Sequence, residues 1–209
     1  MTTIAILDYG IGNIRSVSNA LTAIGASSEI TRDPARIAAA DGLILPGVGA
    51  FPAGMELLNR HGLVDQIHAY VRTGKPFLGI CLGMQMLFDR GTEFGDTPGL
   101  GLIPGIVDRI PVAPGGGRLP HIAWTQIARN PALPDVMLAG LEDAACRFYF
   151  VHSYTARDVP TEFVTGSVAY LDHPVTASVQ RGNVWGTQFH PEKSGPSGLN
   201  LLTNFIGQC

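Results

Sequence analysis

The chain is short of charge. Asp, Glu, Lys and Arg make up 15% of its 209 residues, and 17 acidic against 14 basic side chains leave a formal net charge of -3. No Lys or Arg cluster stands out, which excludes the electrostatic footprint of a nucleic-acid-binding face. Long apolar runs are missing too. Although 45% of the residues are hydrophobic, no uninterrupted stretch is long enough to span a bilayer, so no membrane partner is expected. The N-terminus opens on a strand-like run instead of a basic region followed by a signal core, and the expected location is the cytoplasm. Cysteine is scarce: Cys81, Cys146 and Cys209 are odd in number and widely spaced, which indicates neither a disulfide framework nor a paired-cysteine zinc site. Internal repeats and low-complexity tails are absent.

Glycine and proline are plentiful, at 26 and 15 residues, and cut the chain into many short elements. A chain of this length buries roughly 70% of its unfolded surface, and a single domain over residues 1–209 is expected. Residues 3–7 read as an apolar strand. The turn Asp8-Tyr9-Gly10-Ile11-Gly12-Asn13 follows, then a helix with Ile14, Val17, Leu21 and Ile24 on one stripe. Asn13 or Ser16 is its candidate cap, and Asp8 reads equally as a turn cap or an active-site group. The G-x-G-x-x-G spacing of a dinucleotide fold is missing here. Further strands are predicted at 27–31, 42–45 and 75–80. Between them come a helix at 34–40 and a helical region at 55–71 interrupted near Gly62. This alternation predicts an α/β fold: an open, mostly parallel sheet with helices on both faces. After Arg90 the character changes. A flexible loop is expected at 113–117, and short strands at 105–110, 123–127, 146–151, 167–171, 175–180 and 184–188 give a β-rich second half. A last helix is predicted at 199–206.

The stretch Lys75-Pro76-Phe77-Leu78-Gly79-Ile80-Cys81-Leu82-Gly83-Met84-Gln85 organises the rest. Its apolar run without alternation reads as a central strand covered on both faces, and residues 82–88 read as the helix that follows. A thiol on so tight a strand-to-helix turn projects above the sheet, where backbone N–H groups favour its thiolate. The alternative is a buried core cysteine. His190 and Glu192 stand two positions apart at the end of the last predicted strand, where extended geometry turns both to one side. An imidazole serves as proton acceptor for a thiol, and a carboxylate on its other nitrogen fixes the tautomer. Acyl transfer also needs oxyanion donors. The Leu82 N–H and the glycine loop Gly47-Val48-Gly49, after Pro46, are the candidates.

Together these segments resemble the class I (triad) glutamine amidotransferases, and within them the family of glutaminase subunits of imidazole glycerol phosphate synthase. The resemblance rests on Asp8–Asn13, Pro46-Gly47-Val48-Gly49, the elbow from Gly79 to Gln85, Phe150-Val151-His152-Ser153-Tyr154, and Gln188-Phe189-His190-Pro191-Glu192-Lys193-Ser194. It implies that Cys81 attacks the side-chain amide of glutamine, His190 relays the proton and Glu192 orients His190. It further implies glutamine-binding roles for Gly49, Gln85, Ser153 and Tyr154, and no cofactor. The partner it implies is a (β/α)8-barrel cyclase subunit that consumes the ammonia, with His121, Trp124 and Lys193 as interface candidates. One region departs from the family pattern. Pro120-His121-Ile122-Ala123-Trp124-Thr125 stands where Pro-His-Met-Gly-Trp-Asn is usual, and coupling to the partner is the property this puts in question.

Competing readings are another amidotransferase subunit, a cysteine peptidase or hydrolase on the same fold, and a non-catalytic activating subunit. The Pro-Gly-Val-Gly loop disfavours anthranilate-type and aminodeoxychorismate-type subunits, and retention of Cys81, His190 and Glu192 together disfavours the last. A metal site built from Cys81, His121, His152, His190 and Glu192 lacks metal-like spacing apart from His190-x-Glu192.

Overall fold

The computed structural model describes residues 2–112, 117–134 and 136–209; most of the loop expected at 113–117 lies outside them. In chain order the elements are β1 (Thr3–Leu7), α1 (Ile14–Ala23), β2 (Ser27–Thr31), α2 (Pro34–Ala39), β3 (Gly42–Gly47), α3 (Phe51–Arg60), α4 (Leu63–Arg72), β4 (Phe77–Cys81) and α5 (Leu82–Gln85). They continue with β5 (Arg90–Gly91), β6 (Thr97–Pro98), β7 (Ile106–Arg109), β8 (His121–Gln126), β9 (Ala128–Arg129), β10 (Arg147–His152) and β11 (Tyr154–Arg157). Last come β12 (Val164–Tyr170), β13 (His173–Arg181), β14 (Val184–Thr187) and α6 (Gly195–Ile206).

The main sheet runs β2-β1-β3-β4-β14-β13-β12-β9. From β2 to β14 every pairing is parallel, and from β14 outward the pairings are antiparallel. This is the mixed α/β sheet the alternation predicts. Alternation along β1 explains the two-sided core: Ala5 and Leu7 pack on one face with Leu43, Leu45 and residues of α3 and α4, whereas Ile4 and Ile6 pack on the other with Val17 and Leu21 of α1 and Leu201, Leu202 and Phe205 of α6. Each such fully buried Leu, Ile or Phe contributes about 1.5–3 kcal/mol relative to exposure. Helices on both faces therefore follow from strands that are apolar throughout.

The parallel order brings the carboxyl ends of β1, β3, β4 and β14 to one rim. The segments leaving that rim are the Asp8–Asn13 turn, Val48-Gly49, the Cys81 elbow and Gln188–Glu192. Beside it lies an antiparallel ribbon of β8 and β10, in which His121 pairs with His152 and Trp124 with Tyr149. A small sheet, β11-β7-β5-β6, closes the far side.

Three expectations need correction. Strand β3 runs on through Pro46 and Gly47, so the presumed loop begins only at Val48. The helix predicted at 82–88 stops at Gln85. Met86, Leu87 and Phe88 are wholly buried, and their carbonyls accept from Leu100, Leu102 and Gly101 of a returning segment in place of further helical N–H groups. Finally, the segment after Ser153 is also a strand, with Tyr154 to Arg157 paired to β7.

Candidate active site

Cys81 ends β4 with φ 56° and ψ -110°, a left-handed backbone on a residue with a side chain. Such a conformation costs roughly 1–3 kcal/mol and persists only where its surroundings over-determine it. Here β3 and β14 pair with β4 on its two sides, and the backbone is locked by close approach. A Cβ on Gly83 would lie 1.8 Å from the Leu45 carbonyl oxygen, and one on Gly47 would lie 2.7 Å from the Tyr9 hydroxyl and 2.8 Å from the Gly83 nitrogen. Only glycine fits either position. Tyr9 donates to the Pro46 carbonyl at 2.8 Å, and burial, together with the nearby Cys81 charge, pushes its phenol well above the usual range.

His190 Nδ1 lies 2.8 Å from Glu192 Oε1, and their side chains are 2% and 1% exposed. Strand alternation is not what joins them. Strand β14 ends at Thr187, and the 3-10 turn Pro191–Lys193 folds the carboxylate back onto the ring. Ser194 anchors the turn by donating to the His190 carbonyl at 2.6 Å and accepting the Tyr149 N–H at 3.0 Å. Burial disfavours the imidazolium, but hydrogen bonds to Cys81 and Glu192 and their charges outweigh it, raising the His190 pKa to about 9. With Nδ1 engaged by the carboxylate, Nε2 is the ring nitrogen left for the sulfur.

Two side chains not expected at the site complete this array. Gln188, wholly buried, has Nε2 3.8 Å from Cys81 Sγ and accepts the Gln85 amide at 3.0 Å. Asn13 does not cap α1 with its side chain; its Nδ2 lies 3.5 Å from Glu192 Oε1. Asp8 resolves as a turn cap, accepting the Gly10 N–H at 3.2 Å and pairing with Arg32. Neither the Gln188 nor the Asn13 contact has a spacing signature, because each depends on which strand ends become neighbours.

A cavity of about 410 Å³ opens over the sulfur, lined by Val48, Gly49, Cys81, Leu82, Gln85, Glu93, Pro120, Val151, His152, Ser153, Tyr154, His190 and Lys193. Its size suits a small amino-acid substrate. Glu93, from the loop between β5 and β6, accepts the Phe51 N–H at 2.8 Å at the start of α3. Among the described residues no group of three or more His, Cys, Asp or Glu is arranged to hold a metal ion.

The glutamine amidotransferase class-I family model matches residues 5–209. The chain belongs to the class-I glutamine amidotransferases. It is 50% identical to the imidazole glycerol phosphate synthase subunit HisH of Lacticaseibacillus casei over 202 residues, which are 97% of this chain and 94% of that protein. It is 48% identical to the subunit of the same name from Desulfitobacterium hafniense, across 97% of this chain and 92% of that one. A crystal structure of a glutamine amidotransferase superposes with a TM-score of 0.73 over 98% of this chain and 97% of the other, at 21% identity; that likeness concerns the fold.

The three interface candidates of this amidotransferase separate. Trp124 is 50% exposed and Ile122 58%, on the outward face of β8. Lys193 is exposed, with its ammonium 6.0 Å from the Tyr149 ring centre. His121 is corrected: it is 1% exposed, because alternation along β8 turns it to the face opposite Trp124. No helix among the described residues is long and apolar enough to cross a membrane.

Proposed function

We propose that this chain is the glutaminase subunit of an imidazole glycerol phosphate synthase, hydrolysing glutamine to glutamate and ammonia through a thioester on Cys81. The observation that carries the reading is the buried His190–Glu192 pair, joined at 2.8 Å, with His190 lining the same cavity as Cys81. The Cys81 thiolate attacks the amide carbon of glutamine, and the oxyanion is met by the Leu82 N–H and an amide from Gly47, Val48 or Gly49. The His190 imidazolium, steadied by Glu192, gives its proton to the departing nitrogen, which leaves as ammonia. Water then adds to the thioester, His190 takes its proton, and the C–S bond breaks to release glutamate. Gly49, Gln85, Ser153 and Tyr154 shape the pocket for the α-substituents of glutamine. Glu93, on the cavity wall, offers a carboxylate for the α-ammonium.

Ammonia released into neutral water is mostly protonated and no longer nucleophilic, so its acceptor must lie close at hand. The proposed acceptor is a (β/α)8-barrel cyclase subunit that converts phosphoribulosyl-formimino-AICAR phosphate into imidazole glycerol phosphate and AICAR for histidine biosynthesis, in the cytoplasm. The outward Ile122 and Trp124, with exposed Lys193 at the cavity rim, suit a protein interface: apolar and aromatic anchors beside a charge.

The test pairs a variant with a partner. Cys81→Ala abolishes glutamate production while the assembled enzyme still makes imidazole glycerol phosphate from added ammonium salts. Equal loss of both activities rejects this division of labour. Stimulation of wild-type glutamine turnover by the cyclase subunit and its substrate identifies the acceptor; stimulation only by another synthase overturns that assignment.

A further inference from the structure

From the cavity wall at His152 inward to strand β8 runs a second polar array that takes no part in the chemistry above. Thr125 Oγ1 is 3.1 Å from His121 Nε2, His121 Nδ1 is 3.2 Å from His152 Nε2, and His152 Nδ1 is 2.8 Å from the Tyr154 carbonyl oxygen. The last contact sets the direction of all the others. A carbonyl only accepts, so His152 carries its proton on Nδ1; a neutral His152 then accepts at Nε2, and His121 must donate from Nδ1. Neutral His121 accepts in turn at Nε2, which leaves the Thr125 hydroxyl as donor. Burial holds both rings in their neutral forms, depressing His121 and taking His152 to about 4. The His121 plane is fixed as well: it stacks on Tyr170 at 4.1 Å and on Phe150 at 5.2 Å between ring centres.

The chain of donors ends on an atom that matters. The Tyr154 carbonyl also accepts the Gln85 amide at 3.2 Å, and the same amide reaches Gln188, whose Nε2 lies 3.8 Å from Cys81 Sγ. We infer that Thr125, His121 and His152 are positioning residues, a one-way series of donors from strand β8 that holds the Tyr154 carbonyl and with it the Gln85 side of the glutamine pocket. This rests on the glutaminase reading for its substrate, though not for its proton directions. Thr125 is also where the chain departs from the usual asparagine. The requirement it meets is narrow: a single O–H donor within reach of a buried imidazole nitrogen.

The experiment uses the full-length chain and keeps the two readings apart. In nitrogen-15 spectra near neutral pH, both His121 and His152 appear as Nδ1–H tautomers; an Nε2–H tautomer at either ring overturns the series whatever the enzyme does. Calorimetry in a Cys81→Ala background, with glutamine as the probe, then tests the role. Thr125→Val, which keeps shape and loses the donor, weakens glutamine binding about fivefold, the effect of one net hydrogen bond, and Thr125→Ser restores it to within about twofold. Equal effects of Val and Ser, or unchanged affinity in Val, overturn the positioning role. Absence of glutamine binding in the Cys81→Ala chain itself, with the tautomers as expected, refutes the substrate reading instead and with it the role assigned to the series.

Discussion

Two buried histidines line one cavity and are held in opposite states. His190 is 2% exposed and His152 6%, so desolvation presses on both in the same direction. They differ in what their nitrogens meet. His190 faces a carboxylate and a thiol that take the negative charge, and its pKa rises to about 9. His152 faces a backbone carbonyl and another imidazole, neither able to carry a compensating charge, and its pKa falls to about 4. Burial alone therefore does not set a histidine's charge; the first hydrogen-bond partner on each side does. One ring is available for proton transfer at neutral pH, and the other is a fixed donor and acceptor.

The comparison breaks hardest at His190. His190→Ala, measured as glutamate release in the assembled enzyme, lowers turnover by roughly 10²–10⁴-fold, the usual worth of a positioned acid-base group, whereas His152→Gln falls far short of that. If the two losses are alike, the division between chemical and positioning imidazoles is wrong. Glu192→Gln is smaller and more diagnostic. With the carboxylate replaced, His190 loses one of the two partners that hold it charged, and the alkaline limb of the rate profile moves to lower pH. A profile that does not move removes Glu192 from the account.

Stability against pH gives the gentlest test, and the signs oppose. His190, raised above its unfolded value of 6.5, stabilises fully below pH 6.5, and this contribution is lost as pH climbs toward about 9. His152, depressed from 6.5 to about 4, stabilises above pH 6.5 and its contribution is lost as pH falls through that window. Denaturation of wild type and His152→Gln from pH 7 down to pH 4 should show the gap between them narrowing by ~3 kcal/mol. Parallel curves would mean that His152 is charged or solvated in the folded chain.

The parallel half of the sheet and the Cys81 elbow were legible in the sequence because local pattern determines them. Residues 3–7 and 27–31 fold as strands over those spans, and the apolar run before Cys81 could be satisfied only between two other strands. The stretch directly after Gln85 was not, since Met86 to Phe88 are apolar on every side and carry no period to separate helix from packed turn. His190 and Glu192 drew together by a 3-10 turn that two-residue spacing does not announce. Gln188, Asn13 and the His121–His152 contact were invisible for a different reason: their partners lie 103 to 179 positions away for the first two and 31 for the third, joined only by strand order and register.

Gly47 has a mechanical consequence. It sits opposite Cys81 in the β3–β4 ladder, wedged against Tyr9, Leu82 and Gly83, while the neighbouring Val48 is 39% exposed and Gly49, at φ +97°, has open space where a side chain would be. The nucleophile thus stands on an anvil and the adjacent peptide hangs free. Any on-off adjustment on this side of the site would fall to the Val48–Gly49 amides, leaving the sulfur where the sheet has put it.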